Sequence, residues 1–245
     1  MSFAAAADRL RSARRVTVLT GAGVSAASGI PTFRGAGGLW RQFRAEDLAT
    51  ASAFARDPRL VWEWYDWRRA AVARAEPNRA HHVLAGWSRR FEAFHLVTQN
   101  VDGLHERAGT EHVTRLHGSI WTLRCWQECG APPWADERVP LEPLPPRCPA
   151  CGGLARPGVV WFGEALAASD LVAADRACSC DVFIVAGTSA VVYPAAGFAE
   201  TARSRGAFVA EINPERTAMS DLVDLSLRGN AEIVLDALEL RLTEG

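Results

Sequence analysis

The chain has 245 residues, enough to bury a substantial core as one domain or as a large domain with a small insertion. Hydrophobic residues make up 49% and charged residues 22%, the balance of an ordinary soluble globular protein. A formal net charge of -1 argues against a nucleic-acid-binding face or a polybasic membrane patch, and all 27 basic residues are Arg.

No stretch approaches the roughly 20 apolar residues of a membrane span. The Ala- and Arg-rich start could pass for a transit peptide, but it contains Asp8 and runs directly into a strand, so a packed first helix is expected. That strand is the apolar run 16–19. Gly21 and Gly23 follow it, where the backbone turns tightly and comes close to a ligand, and residues 24–28 start a helix whose N–H groups would face that ligand. Ala26 stands where a third glycine would complete the dinucleotide fingerprint, so the turn is equally readable as purely structural. The loop after it places Thr32, Phe33 and Arg34 where a lid over a cofactor would sit.

Asp57 and Pro58 form an N-cap and first-turn pair that opens a helix through about Arg74. Most of its aromatics are expected in the core. Tyr65 and Arg68, three residues apart, share one face. They make either a receptor for a small carboxylate or a packed phenol beside a solvated guanidinium. Asn78 opens the next helix, with His81 and His82 structural. A second buried strand over 94–98 ends in Gln99, Asn100 and Asp102, at the strand end where open α/β sheets bind ligands. A short strand over 112–116 ends at His117, placed for general base work.

Cys125 and Cys129, then Cys148 and Cys151 across a Pro-rich loop, read as the four thiolate ligands of a structural zinc ribbon. The first pair is spaced one residue wider than usual. Cys178 and Cys180 are expected as small buried residues instead. With this cysteine pattern and no secretion signal, a cytoplasmic enzyme is expected. Residues 158–164 read as an exposed strand and turn. Further buried strands over 181–186 and 207–212 end in Gly187, Thr188 and Ser189, and in Asn213 and Glu215, an acceptor-rich loop suited to an adenosine ribose. A last helix follows Ala231 through about Leu242.

Taken in order, the motifs at 21–25, 29–34, 98–102, 117–118, 187–189 and 212–213 resemble those of the sirtuins, NAD-dependent protein-lysine deacylases. The resemblance covers nearly the whole chain. It implies an α/β fold: a Rossmann-like parallel sheet domain (residues 1–36, 80–119 and 157–245) with a smaller helical (37–79) plus zinc-ribbon (120–156) domain. It also implies NAD as co-substrate, with acyl-lysine of a protein substrate entering between the two parts. Ala22, Thr32, Phe33 and Arg34 would line the nicotinamide-ribose side, beside Gly21, Gly23 and Ser25. Gln99, Asn100 and Asp102 would hold the ribose and the nicotinamide amide. Gly187, Thr188, Ser189, Asn213, Glu215 and Ala231 would line the adenosine side. His117 would be the base, and Val160, Phe162, Gly163 and Glu164 would pair with substrate backbone. The products would be free lysine, nicotinamide and O-acyl-ADP-ribose.

Tyr65-x-x-Arg68 is similar to the subgroup that removes succinyl and malonyl groups, which implies that Arg68 pairs with an acyl carboxylate and Tyr65 hydrogen-bonds it. The run 32–40, with small Ala36, is similar to that subgroup too. Protein mono-ADP-ribosylation would use the same NAD site without needing Tyr65 and Arg68. A non-catalytic NAD or ADP-ribose sensor would need no base. A dehydrogenase would more often show all three glycines.

Overall fold

The computed structural model describes residues 3–32, 44–189 and 193–244. The helices, in chain order, are α1 (Phe3–Ser12), α2 (Ala45–Leu48), α3 (Ala51–Arg56), α4 (Pro58–Arg74), α5 (Arg79–Arg90), α6 (Leu104–Arg107), α7 (Ala168–Ala177), α8 (Gly197–Ser204) and α9 (Ala231–Thr243). The strands are β1 (Arg15–Thr20), β2 (Ala93–Thr98), β3 (Val113–Arg115), β4 (Gly118–Cys125), β5 (Trp134–Ala135), β6 (Ala155–Val159), β7 (Val182–Ala186), β8 (Phe208–Asn213) and β9 (Leu225–Arg228).

Six strands form one parallel sheet in the order β3-β2-β1-β7-β8-β9. This is the doubly wound order, with its reversal between β1 and β7. Both faces are covered, so the central strands are apolar on both sides. Val16 and Val18 of β1 and Ile184 of β7 face one core, with residues of α1, α5 and α9. Leu19, Phe183 and Val185 face the other, with α7 and α8. Asp57 accepts from the Leu60 amide at 2.9 Å and Asn78 from the Ala80 amide at 2.9 Å, so the two expected caps start α4 and α5.

The smaller part has its own core. Phe54, Trp62 and Trp64 from α3 and α4 pack with Ile120, Leu123 and Val159 of the antiparallel sheet β5-β4-β6. The fully buried Arg69 joins helix to sheet, donating to the carbonyls of Ile120 and Asp136 at 2.6 Å each and lying 4.9 Å from the Trp121 ring centre. Not every α4 aromatic is core, however. Trp67 is 49% exposed.

Two local expectations are corrected. The segment after Gly21 is a 3-10 helix, Ala22–Ser28, closed by Gly29 in the left-handed region. The strand expected over 158–164 lies earlier, at β6, where β4 supplies its partner. Beyond it the chain leaves the sheet, because the Val160 amide donates to the His117 carbonyl and the Phe162 amide to the Ala49 carbonyl.

Candidate active site

A cleft of about 810 Å³ opens beyond the C-terminal ends of β1, β2, β7 and β8, at the reversal point of the sheet. Its floor is made by two interlocked turns. The Gly21 amide donates to the Ala186 carbonyl at 3.0 Å, the Gly23 amide to the Gly187 carbonyl at 2.8 Å, and the Val24 amide to the Gly21 carbonyl at 3.0 Å. These amides are therefore engaged within the protein, and Val24, the first of the donors expected free over 24–28, is among them. What the glycines provide is approach. A Cβ on Gly21 would lie 2.7 Å from the Thr188 Cβ, and one on Gly23 would lie 2.8 Å from the Gly187 Cα. No such crowding demands a glycine at Ala26, which lines the cleft.

The polar ends of the strands are tied together. The Gln99 amide group donates to the Thr188 hydroxyl at 3.0 Å, and that of Asn213 to the Thr188 carbonyl at 2.7 Å. Asn100 donates to the Gly21 carbonyl at 3.1 Å and to Ser25 Oγ at 3.2 Å, and Ser25 donates to Asp102 at 2.8 Å. Gln99 and Asn100 line the cleft, whereas Ser25 and Asp102 lie buried behind its wall. Burial raises the Asp102 carboxyl above the usual range, opposed by bonds from the Leu104 amide and Ser25.

Half-buried His117 stands on this wall between β3 and β4. Its Nδ1 lies 3.0 Å from the Gln99 carbonyl, which fixes the proton there and leaves Nε2 as the basic nitrogen. Burial lowers its pKa, against a smaller raising effect of that carbonyl, so the imidazole is neutral at neutral pH.

At one end of the cleft, Tyr65 and Arg68 are both buried and both line the wall. Arg68 sits 5.0 Å from the Trp64 ring centre. Burial pulls its pKa down, while Tyr65 and Asp102 push it up; a guanidinium still keeps its charge. Val160, Phe162, Gly163 and Glu164 form the rim above. Glu164 is held by the buried Arg156 and accepts from the Trp161 amide at 2.8 Å, so its carboxylate shapes the rim turn.

At the other end lie Ser189, Asn213, Glu215 and Ala231, with Arg216 and Glu232 beside them. Beneath this end is a carboxylate that the sequence reading passed over. Glu211 on β8 is 1% exposed and accepts from the hydroxyls of Thr217, Ser220 (2.7 Å) and Ser226 (2.6 Å), with Arg228 at 3.4 Å. It ties down the loop that carries Glu215 and Thr217.

This geometry, a cleft at the reversal point of a doubly wound sheet with a neutral histidine on its wall, is shared with known proteins. Residues 21–194 match the Sir2 family model. The chain belongs to the Sir2 family. It is 52% identical over 217 residues to an NAD-dependent protein deacylase of Aquifex aeolicus (strain VF5), covering 88% of this chain and 90% of that one. Among solved structures, a Sir2 homologue mutant in complex with ADP ribose superposes with a TM-score of 0.94 at 46% identity, covering 98% of this chain and 96% of the other. A Sir2 homolog–NAD complex superposes at 0.92 with 47% identity, covering 98% and 94%.

In this Sir2 protein the four cysteines converge away from the cleft. Their sulfurs all lie within 4.8 Å of one another, with Cys125–Cys151 at 3.6 Å and Cys129–Cys148 at 3.8 Å. Four thiolates about 2.3 Å from a tetrahedral zinc would stand about 3.8 Å apart, so the set fits a structural zinc. The wider first spacing is absorbed at Glu128, whose φ of 50° turns the chain back. Cys178 and Cys180 are buried in the sheet core, as expected.

The cleft brings together Gly21, Ala22, Gly23, Thr32, Gln99, Asn100, His117, Gly187, Thr188, Ser189, Asn213, Glu215 and Ala231 with Tyr65, Arg68, Val160, Phe162, Gly163 and Glu164. Phe33 and Arg34, and the loop with Ala36, lie outside the described residues. Trp64, Arg216 and Glu232 were missed. Trp64 carried only a core signal, and the other two follow the loop and helix start already marked by Asn213 and Ala231.

Proposed function

We propose that this Sir2 protein is an NAD-dependent deacylase of protein lysines whose acyl pocket takes acidic acyl groups, succinyl and malonyl, as well as acetyl. The observation that carries the acyl preference is the buried pair Tyr65 and Arg68 on the cleft wall. A guanidinium and a phenol held in a desolvated pocket offer a carboxylate charge-assisted hydrogen bonds that a neutral acyl chain cannot use.

Bound NAD supplies an electrophilic ribose carbon once nicotinamide departs. The roles of the chain's own groups follow from their places. The interlocked turn at Gly21, Ala22 and Gly23 forms a close floor for the pyrophosphate. Thr32, Gln99 and Asn100 line the nicotinamide-ribose side, with Ser25 and Asp102 holding Asn100 from behind. Gly187, Thr188, Ser189, Asn213, Glu215 and Ala231 receive the adenosine half. Phe33 and Arg34 are assigned to the lid over the reacting ribose. His117 takes a proton on Nε2 from a ribose hydroxyl, its Nδ1–H kept on the Gln99 carbonyl. The rim residues Val160, Phe162, Gly163 and Glu164 lie where the substrate backbone would align. Cys125, Cys129, Cys148 and Cys151 would hold zinc as a support of the small module, with no part in the chemistry.

The test compares acetyl-, succinyl- and malonyl-lysine forms of one peptide, with and without NAD, on wild type and Arg68→Met. The variant should lose desuccinylation by at least about tenfold relative to deacetylation, since a charge-assisted hydrogen bond is worth about 1.5–3 kcal/mol. Equal losses on all three peptides would sink the acidic-acyl reading.

A further inference from the structure

A chain of contacts that none of these roles uses runs from the cleft rim to the Tyr65 hydroxyl. Its centre is Trp161, just beyond β6 and 2% exposed. The indole is clamped. The Arg156 guanidinium carbon lies 3.4 Å from its ring centre, and the Phe54 and Trp126 rings stand 5.4 Å and 6.3 Å away. Arg156 is itself fixed, through both terminal nitrogens to Glu164 and through one to the Val159 carbonyl at 3.0 Å. Glu164 returns to Trp161 by accepting from its backbone amide. In this clamp the indole Nε1–H donates to Tyr65 Oη at 3.0 Å.

That bond constrains a proton. A phenol carries one hydrogen, and an oxygen that accepts an N–H must send its own O–H elsewhere. Tyr65 is 3% exposed, with the Trp64 ring edge-on at 4.8 Å, and the space it borders is the cleft, which Arg68 also lines. Burial holds the phenol pKa up, so the proton stays on. An oxygen that accepts one hydrogen bond also becomes a stronger donor of the next.

We infer that Trp161 is a specificity-determining positioning residue: its indole N–H holds the Tyr65 hydroxyl as a donor toward the cleft and so favours acyl chains that end in a carboxylate. This rests on the reading of Tyr65 and Arg68 as a carboxylate receptor. With the N–H gone, the hydroxyl turns freely and presents lone pairs to the carboxylate as readily as its proton. A neutral acetyl group does not depend on that direction.

The experiment is a double-mutant cycle on full-length protein with Trp161→Phe and Tyr65→Phe, reading KM and kcat for succinyl- and acetyl-lysine forms of one peptide. Trp161→Phe keeps a ring beside Arg156 and deletes the donor. It should raise the succinyl KM about five- to tenfold and the acetyl KM less than twofold, with the succinyl loss in KM rather than kcat. Tyr65→Phe should show the same selective loss, and the double variant should be no worse than Tyr65→Phe alone. Equal loss on both peptides, or additive losses in the double variant, would overturn the inference. A Tyr65→Phe enzyme that keeps its succinyl preference overturns it without any Trp161 variant. A wild type with no succinyl activity, or equal losses in Arg68→Met, removes the carboxylate receptor and this inference with it. A succinyl-preferring wild type whose preference survives Trp161→Phe removes the inference alone.

Discussion

The proposed chemistry leans on single residues, the imidazole of His117 and the glycine at 187 among them. Burial lowers the His117 pKa below 6.5, and a base works only when unprotonated, so the acid limb of kcat/KM against pH should lie below 6.5. A limb at or above 6.5 would show that another group is titrating. His117→Ala should cut NAD-dependent deacylation by about 10²–10⁴-fold; activity within a few-fold of wild type would remove His117 from the base role. Gly187 has a φ of 61°, and a Cβ there would stand 2.5 Å from the Val24 nitrogen. Gly187→Ala therefore combines a left-handed backbone, about 1–2 kcal/mol for a non-glycine, with a clash against the turn at Gly23. Calorimetry should show a lowered melting temperature and weakened ADP-ribose binding together; normal binding would mean the two turns need not interlock.

At the level of elements, the loop after β8 is held from below as well as by its own turn bonds, such as the Thr217 amide donating to Ser220 Oγ at 2.8 Å. Glu211 gathers Thr217, Ser220 and Ser226, and Arg228 donates to both the Glu215 carbonyl and Ser220. Glu211→Gln replaces an acceptor-only group by one with two donors aimed at hydroxyls that already donate. The KM for NAD should rise several-fold while the peptide KM moves much less; parallel changes in both would place the effect outside this loop. In the zinc module, Cys148→Ser removes one of four converging thiolates. Metal analysis should find less than one zinc per chain, with earlier melting, and full zinc with wild-type melting would refute the site.

Across the whole molecule, stability should fall as the solution is acidified. The His81 and His105 rings lie 4.8 Å apart, tilted by 54°, behind the cleft, and burial lowers the first to about 4 and the second well below 6.5. A histidine depressed in the fold binds its proton first in the unfolded chain. Each therefore costs stability as pH falls from 6.5 toward its folded value, up to about 1.4 kcal/mol per unit. Asp102 and Asp170, both raised by burial in the fold, act in the opposite sense. Urea midpoints should drop between pH 7 and 5, and a flat profile would contradict the buried neutral pair. Much of this plan was legible in the chain. Strand runs, caps and cysteine spacing report local physics, so β1, β2, β7, β8, α4, α5 and the thiolate set were readable. The acidic Glu211 and the cations Arg69 and Arg156 were not: Arg69 is buried against carbonyls 51 and 67 residues further on, while Glu211 and Arg156 have nearer partners, within 217–226 and 159–164, that no strand, cap or cysteine pattern marks. Nor was the engagement of the Gly21 and Gly23 amides, since the carbonyls that take them come from β7 and its turn.

The position of His117 has a mechanical consequence. It ends the connection from β3 of the parallel sheet and begins β4 of the antiparallel one. Its ring is anchored on Gln99 in the first, while its carbonyl accepts from Val160 and the next residue, Gly118, packs against Gly158 in the second. His117 thus belongs to both sheets at once, its ring fixed from the parallel one and its backbone from the antiparallel one. In the base role proposed for it, a substrate that displaced Val160 would be felt at His117 through their shared hydrogen bond.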